Sequence, residues 1–463
     1  MANRNNLARF QFGGLKQHCE MIVVEDRISA LPDDLITHIL TYLTLKEAIA
    51  TSILSERWKE LWVSLPTLDF GCLGVCRMET YVQRVDKILG QFNGPILHRF
   101  RIVFPMFGRY RSDIDDWVSF AIKHDVSELE LNFNFSVFTG KSDNYYFPAR
   151  IFCGQQMLNS KHFESLRDLC LRSVNLSDEV FEIILSRCFS LERFVLEFSL
   201  GLVNAKNTAP HLKLKSLELY ICADLEKLEL LAPNLVSFKY QGRRRTLCLA
   251  DAQQLDSLEL STHTSPDPNT RVMFPTGKNF IFSQFSSFLP KLESLVLTVH
   301  IFEDVRDFTQ LCVFSNLKHL ALDVVRPYQF RLLYQVAASI IRAAPYLELL
   351  ELILPAMNLP YWKIEPPELG SMSRPHQNLR EVKLYGFRGD KATMKFLAYL
   401  VEYAVSLEKI DVTVRGATRL GDNLKIEPCP SIRADDAKKC EKRLLQLRQT
   451  LPENAQLCSM MDD

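Results

Sequence analysis

The chain contains no run of about 18 uninterrupted apolar residues, so it holds no simple membrane-spanning helix. It has no charge bias either, with 55 Lys and Arg against 55 Asp and Glu. A chain in such balance is poorly suited to wholesale binding of phosphate backbones or anionic lipid, so neither nucleic acid nor membrane is expected as a partner. The opening residues MANRNNLARFQFGGLKQHCE lack the apolar core of a secretory signal. They carry Arg4, Arg9 and Lys16 and no acid before Glu20. Residues 1–24 therefore read as an unstructured leader or a transit peptide, with Met21 as an alternative start. The 12 cysteines form no dense framework, and reduced thiols in a nuclear or cytoplasmic protein are the simplest reading. Cys72 and Cys76 have no second Cys/His pair at zinc-finger distance and read as free thiols, not metal ligands. No phosphate-cradling glycine loop, G-x-S-x-G elbow or H-E-x-x-H pair occurs. No catalytic residue, metal or cofactor is expected, and the chain reads as non-enzymatic.

What is present starts with DRISALPDDLITHILTYLTLKEAIATSILSERWKELW, from Asp26 to Trp62. Pro32, Asp33 and Asp34 suit a helix opening, because proline fits the first turn and carboxylates favour the positive dipole end. Two apolar rows follow, Leu35, Ile39 and Leu43 in one, Ile36 and Leu40 in the other. Together they cover more than half the helix circumference, enough for two neighbours. Thr44 and Glu47 fit the capping box of a second helix that buries Leu45, Ile49 and Ile53. Ser55 can cap a third, with Trp58, Leu61 and Trp62 on one side. Three short helices bury little apolar area and need a partner, inside the chain or outside it.

This stretch resembles an F-box, specifically the plant type that precedes leucine-rich repeats. The residues carrying the likeness are Leu31-Pro32-Asp33-Asp34-Leu35, Ile39-Leu40, Leu43, Ala50-Thr51-Ser52, Leu54-Ser55, Arg57-Trp58, Leu61-Trp62, Leu65-Pro66 and Asp69-Phe70. The resemblance implies a three-helix module, residues 25–70, that docks onto a SKP1-like adaptor. It marks Leu31, Pro32, Leu35, Ile39, Leu40 and Leu43 as adaptor contacts. Trp58 and Trp62 either join them or fix the third helix to the rest of the chain.

The chain, at 463 residues, is too long for one compact core, so several units or an elongated array are expected. One pattern recurs along it: LRDLCL from Leu166, LERFVL from Leu191, LKSLEL from Leu214, LEKLEL from Leu225 and LVSFKY from Leu235. It continues as LDSLEL from Leu255, LESLVL from Leu292, LKHLAL from Leu317, LELLEL from Leu347, LREVKL from Leu379 and LEKIDV from Leu407. A looser copy, VSELELNF, starts at Val126. This resembles the L-x-x-L-x-L core of leucine-rich repeats, in which each unit supplies one short parallel strand and stacking builds a continuous core. The expected fold is α/β, an N-terminal three-helix F-box followed by a curved leucine-rich-repeat solenoid with parallel strands. Residues 71–374 would hold irregular repeats. The stretch following Asn175 and the stretch from Phe330 to Pro345 read as helices that pack behind the strands.

Residues 375–415 are similar to the FBD-type segment that closes many plant F-box repeat proteins, or form a terminal capping repeat. The proline-rich residues 354–375 read as a protruding loop. Residues 416–463 read as a charged tail, with a helix over ADDAKKCEKRLLQLRQTL leading to a frayed end. Arg243-Arg244-Arg245 reads as a hairpin tip, with an anion site as the alternative.

The outward strand positions form a mixed face of hydroxyls, both charge signs and tyrosines, better matched to protein than to nucleic acid. Asp168, Arg172, Glu218, Tyr220, Lys239, His319, Lys383 and Tyr385 are its candidate substrate-facing residues. The resemblance implies a substrate receptor of an SCF-type ubiquitin ligase, linked through the adaptor to cullin and RING subunits. A non-ligase interaction scaffold and a ligand-sensing F-box receptor are the alternatives.

Overall fold

The computed structural model describes residues 31–463 except 74–75, 106–107, 134–143, 154–160, 208–210, 244, 263–283, 300–312, 325–329, 355–365, 373, 416, 421–422, 427–433, 453–454 and 461–463. The leader and its alternative start lie outside the described residues. So do Arg244 and half of the proline-rich stretch. The chain separates into two compact units, Met1–Leu65 and Pro66–Asp463.

The first unit holds α1 (Asp33–Thr41), α2 (Leu45–Ala50), a 3-10 turn (Thr51–Ile53) and α3 (Glu56–Leu61). Pro32 stands at the N-cap of α1, where its carbonyl accepts from the Leu35 and Ile36 amides at 3.1 Å. The Thr44–Glu47 capping box is formed: the Thr44 amide donates to Glu47 Oε2 at 2.9 Å, and the Glu47 amide to Thr44 Oγ1 at 3.3 Å. Ser55 caps α3 by accepting from the Trp58 amide at 3.3 Å. Arg57 of α3 reaches Asp33 of α1 at 2.5 Å, tying the first and third helices. One expectation fails. Ile53 does not join the buried side of α2, because the helix stops at Ala50 and the 3-10 turn leaves Ile53 89% exposed.

Among the described residues, the second unit is built on fourteen parallel strands in one open sheet. Up to the middle these are β1 (Thr67–Asp69), β2 (Arg99–Val103), β3 (Glu128–Asn132), β4 (Asp168–Arg172), β5 (Arg193–Glu197), β7 (Ser216–Tyr220) and β9 (Ser237–Gly242). The rest are β11 (Ser257–Thr262), β12 (Ser294–Val299), β13 (His319–Val324), β14 (Leu349–Ile353), β15 (Glu381–Tyr385), β16 (Lys409–Thr413) and β19 (Gln456–Met460). They pair in that order without a register slip, so the inward apolar side chains of the strands stack into continuous rows. Leu169, Phe194, Leu217, Phe238, Leu258, Leu295, Leu320, Leu350, Val382 and Ile410 form one such row, and all are buried. Leucine before most main-sheet strands closes the turn: Leu191, Leu235, Leu347 and Leu407 are fully buried. Asparagine stitches neighbouring turns, as Asn234 Nδ2 donates to the Leu212 carbonyl and Asn378 Nδ2 to that of Pro345, both at 2.8 Å.

Among the described residues the remaining α-helices are α4 (Met78–Leu89), α5 (Arg111–Lys123), α6 (Arg150–Cys153), α7 (Asp178–Arg187), α8 (Phe330–Ala343), α9 (Lys391–Tyr403) and α10 (Ala434–Thr450). The two helices expected behind the strands are α7 and α8. Between β5 and β11 the chain departs from expectation. The copy LEKLEL does not enter the main sheet. It forms β8 (Lys227–Leu231), which pairs with β6 (Asn204–Asn207) and β10 (Thr246–Ala250) in a second parallel sheet. That copy stands at half the spacing of its neighbours, too soon for another full turn, so each turn here supplies a strand to both sheets. An antiparallel hairpin, β17 (Ala417–Leu420) and β18 (Asn423–Ile426), follows β16. The helix expected in the tail is α10, and the end expected to fray instead forms β19, which pairs with β16.

His376 links α8 to the turn before β15. Its Nδ1 accepts from the Leu379 amide at 3.1 Å, so its Nε2 carries the proton and donates to the Ala344 carbonyl at 2.9 Å. Burial holds its pKa below the ordinary imidazole value. The folded state therefore binds fewer protons here than the unfolded state, and stability falls as pH drops through about 6.5. The urea midpoint should decline less between pH 7.5 and pH 5.5 in His376→Gln than in the parent, and equal declines would remove this residue from the pH response.

Candidate functional site

Packing divides the two rows of α1. Ile36 and Leu40 are fully buried, whereas Leu35 is 50% and Ile39 40% exposed. Tyr42 and Leu43 extend the exposed row, and Ile53 and Leu54 are exposed after α2. Pro32 is exposed and Leu31 half-buried. The predicted contact set therefore splits. Leu35, Ile39, Leu43 and Pro32 lie at the surface, but Leu40 shares the inward row with Ile36. Trp58 and Trp62, one helical turn apart, are both buried within the chain and offer no free face. Tyr42, Ile53 and Leu54 were missed as surface residues. Their apolar character was visible in the sequence, but their exposure is decided by where α1 and α2 end.

On the main sheet, the positions alternating with the leucines bring charged side chains into cross-strand register. Arg101 bonds Glu130 at 2.8 Å and Asp69 at 3.1 Å. Arg172 bridges Glu130 and Glu197, each at 2.8 Å. Arg193 bridges Asp168 at 3.2 Å and Glu218 at 3.1 Å. The acids of β1 to β7 are thus largely answered by arginines on the same face. Burial raises the pKa of Asp168 even beside Arg193, and that of Glu197 even beside Arg172. Between the ion pairs sits a small apolar cluster, Cys170, Val195 and Tyr220. Burial pushes the Cys170 thiol up to about 12, so it is an inert packing group.

Three predicted substrate-facing residues are buried: Glu218, Tyr220 and Lys239. They share the leucine-free side, as alternation requires, but their neighbours engage them. Tyr220 packs in the apolar cluster and donates its hydroxyl to Glu218 at 3.1 Å. Lys239 stands in register between Glu218 and Glu259. Asp168 and Arg172 are half-buried in the ion-pair ladder. Farther along, His319 lies 3.0 Å from Ser294 Oγ through Nδ1 and 3.5 Å from Glu351 through Nε2. Lys383 is also 3.5 Å from Glu351. Tyr385 is half-buried, in register with Ile353 and Thr413. The eight residues share one sheet but do not form one cluster. Ser216, Ser237, Ser257 and Ser294 form an uncharged row between the two charged regions.

Among the described residues no group of three His, Cys, Asp or Glu could hold a metal ion. The Cys72 side chain lies outside the described residues, and Cys76 is a free thiol. No described helix is long and apolar enough to cross a membrane.

A family model for the F-box domain matches residues 28–69. A second, described as the LRR domain of At1g61320/AtMIF1, matches residues 88–456, most of the chain. The chain belongs to the F-box/LRR family. This F-box/LRR protein is 25% identical to F-box protein At3g59000 of Arabidopsis thaliana, over 84% of its own length and 86% of the relative. It is 29% identical to FBD-associated F-box protein At5g38590 of the same plant, over 71% of its own length and 78% of the relative. It is also 29% identical to F-box/LRR-repeat protein At3g03360, over 51% of each chain. It spans about half the length of that relative and 24% of F-box/FBD/LRR-repeat protein At5g22660. Residues 375–415, the stretch expected to resemble an FBD segment, hold β15, α9 and β16.

Proposed function

We propose that this F-box/LRR protein is a substrate-recognition subunit of an SCF-type ubiquitin ligase, working in the nucleus or cytoplasm. The apolar stripe of Leu35, Ile39 and Leu43 receives a SKP1-like adaptor, through which cullin and RING subunits are recruited. The leucine-free face of the repeats receives a protein substrate. The protein makes and breaks no bonds itself. It raises the effective concentration of a substrate lysine beside the charged conjugating enzyme.

The observation that carries this reading is the exposed α1 stripe beside a fully buried Ile36–Leu40 row. A three-helix unit that has already closed its core still presents apolar side chains at helical spacing, the form of a helix-mediated protein interface. Retention of a recombinant SKP1-like adaptor by the purified protein is the expected result under native conditions. Failure to retain any such adaptor at micromolar concentration would sink the proposal and leave the scaffold reading.

A further inference from the structure

We propose that the α10–β19 end of the sheet is a self-complementary interface that pairs two copies of this chain about a two-fold axis. The proposal is independent of adaptor binding.

The first observation is the edge of the sheet. β19 pairs with β16 on one side, and among the described residues nothing pairs with its other side. Open strand edges are usually blunted by lysine, proline, a bulge or shortness. β1, at the opposite edge, is three residues long and contains Asp69. β19 reads Gln-Leu-Cys-Ser-Met, with neither charge nor proline, and its Leu457 is only half-buried although it belongs to the leucine row.

The second observation is the helix behind it. Cys440, Leu444 and Leu447 form the buried stripe of α10. Gly389, in the preceding turn, lies against Cys440 and Arg443. At about 100° per residue, Leu445 points away from that neighbour, toward the open end. It is 55% exposed. A polar outer side is what a solenoid end requires when it faces water. This end presents Leu445 and Leu457 instead.

The third observation is charge complementarity. Glu441 and Arg448 are both exposed and lie on the Leu445 side of α10, four residues before it and three after it. In an antiparallel pair of these helices, an axis level with Leu445 sets Glu441 of each copy against Arg448 of the other. The same axis must serve β19. Leu445 lies about 7 Å back from the end of α10 at 1.5 Å per residue. Cys458 lies about 7 Å beyond the start of β19. Five residues, 451–455, connect the helix to the strand, and with the helix antiparallel to the strand the two centres come level. An axis through Cys458 pairs identical strands antiparallel, supplies hydrogen-bond partners to both edges and brings the two Cys458 thiols opposite each other.

Sedimentation of the whole 463-residue chain should show a reversible dimer in the micromolar range. Leu445→Glu should weaken it at least tenfold without changing the circular dichroism spectrum. Glu441→Arg should weaken it too, and adding Arg448→Glu should restore it. Copper-phenanthroline should trap a disulfide dimer that Cys458→Ser abolishes. A monomer at all concentrations, or a dimer indifferent to Leu445→Glu and to the charge exchange, would overturn the proposal. So would a monomer whose β19 edge is protected from exchange only by a different protein, since that assigns the edge to another partner.

Discussion

Replacing Leu35 and Ile39 together by glutamine is expected to weaken adaptor binding by roughly ten- to a hundredfold while leaving the melting curve of the protein unchanged. Fully burying an exposed large aliphatic side chain contributes about 1.5–3 kcal/mol, and these two are about half exposed already, so together they contribute about 1.5–3 kcal/mol, at 1.4 kcal/mol per factor of ten. Glutamine is a good helix former, and both positions lie at the surface of α1, so the helix itself should persist. The control lies one residue along. Leu40→Ala removes a fully buried side chain and should cost about 2–5 kcal/mol of stability, a large fraction of what three short helices can hold. The two variants therefore separate the two faces of one helix. Calorimetric titration of a recombinant SKP1-like adaptor, with circular dichroism on the same samples, makes the comparison. Affinity within threefold of the parent in the double glutamine variant would show that the exposed row is not the docking face.

The sequence patterns that carried the fold were those with local causes. Thr44 and Glu47 announce a helix start because each satisfies a backbone amide of the other, and Ser55 does the same for α3. The recurring leucines announce the main-sheet strands from β4 to β16 because an alternating strand can bury only every second residue. The parts that were not legible depend on partners distant in the chain. Rows Leu35–Ile39 and Ile36–Leu40 are equally apolar, and only the packing of α2 and α3 selects the inner one. LEKLEL looks like any other repeat, and its place in the second sheet follows from spacing rather than content. β6, with the sequence Asn-Ala-Lys-Asn, carries no alternating leucines at all. On the sheet face, alternation identifies the outward side, yet the register of Arg193 with Glu218 and the cluster around Tyr220 decide which outward groups remain accessible.

The second large effect is expected at Gly386, immediately after β15. The residue following a strand repeatedly takes the left-handed conformation here: Ser173 after β4 at φ +55, Phe198 after β5 at +52 and Ile221 after β7 at +52. In each case the turned amide donates to a carbonyl near the end of the neighbouring strand, from Ser173 to Glu197 at 2.8 Å, from Phe198 to Tyr220 at 2.9 Å and from Ile221 to Gln241 at 2.6 Å. Side chains are tolerated at these three positions at a cost of about 1–2 kcal/mol each. Gly386, at φ +79, makes the corresponding turn and donates to the Arg415 carbonyl at 2.9 Å. Here, however, an added Cβ would run into the Leu354 carbonyl oxygen, and that oxygen is backbone, not the movable end of a side chain. Gly386→Ala thus adds a displacement of the β14–β15 connection to the ordinary left-handed penalty. The combined loss should be about 2–4 kcal/mol, in the range of other backbone-strain substitutions. Ser173→Gly, at the matching position without a clash, should change stability by less than about 1 kcal/mol, because relief of strain and added unfolded-state entropy oppose each other. Because solenoid stability is summed over neighbouring turns, the damage should concentrate in β14 to β16. Urea unfolding would give the size of the loss and hydrogen exchange its location. An unchanged urea midpoint in Gly386→Ala would mean that the β14–β15 connection yields without cost, and that the close approach is not what requires glycine there.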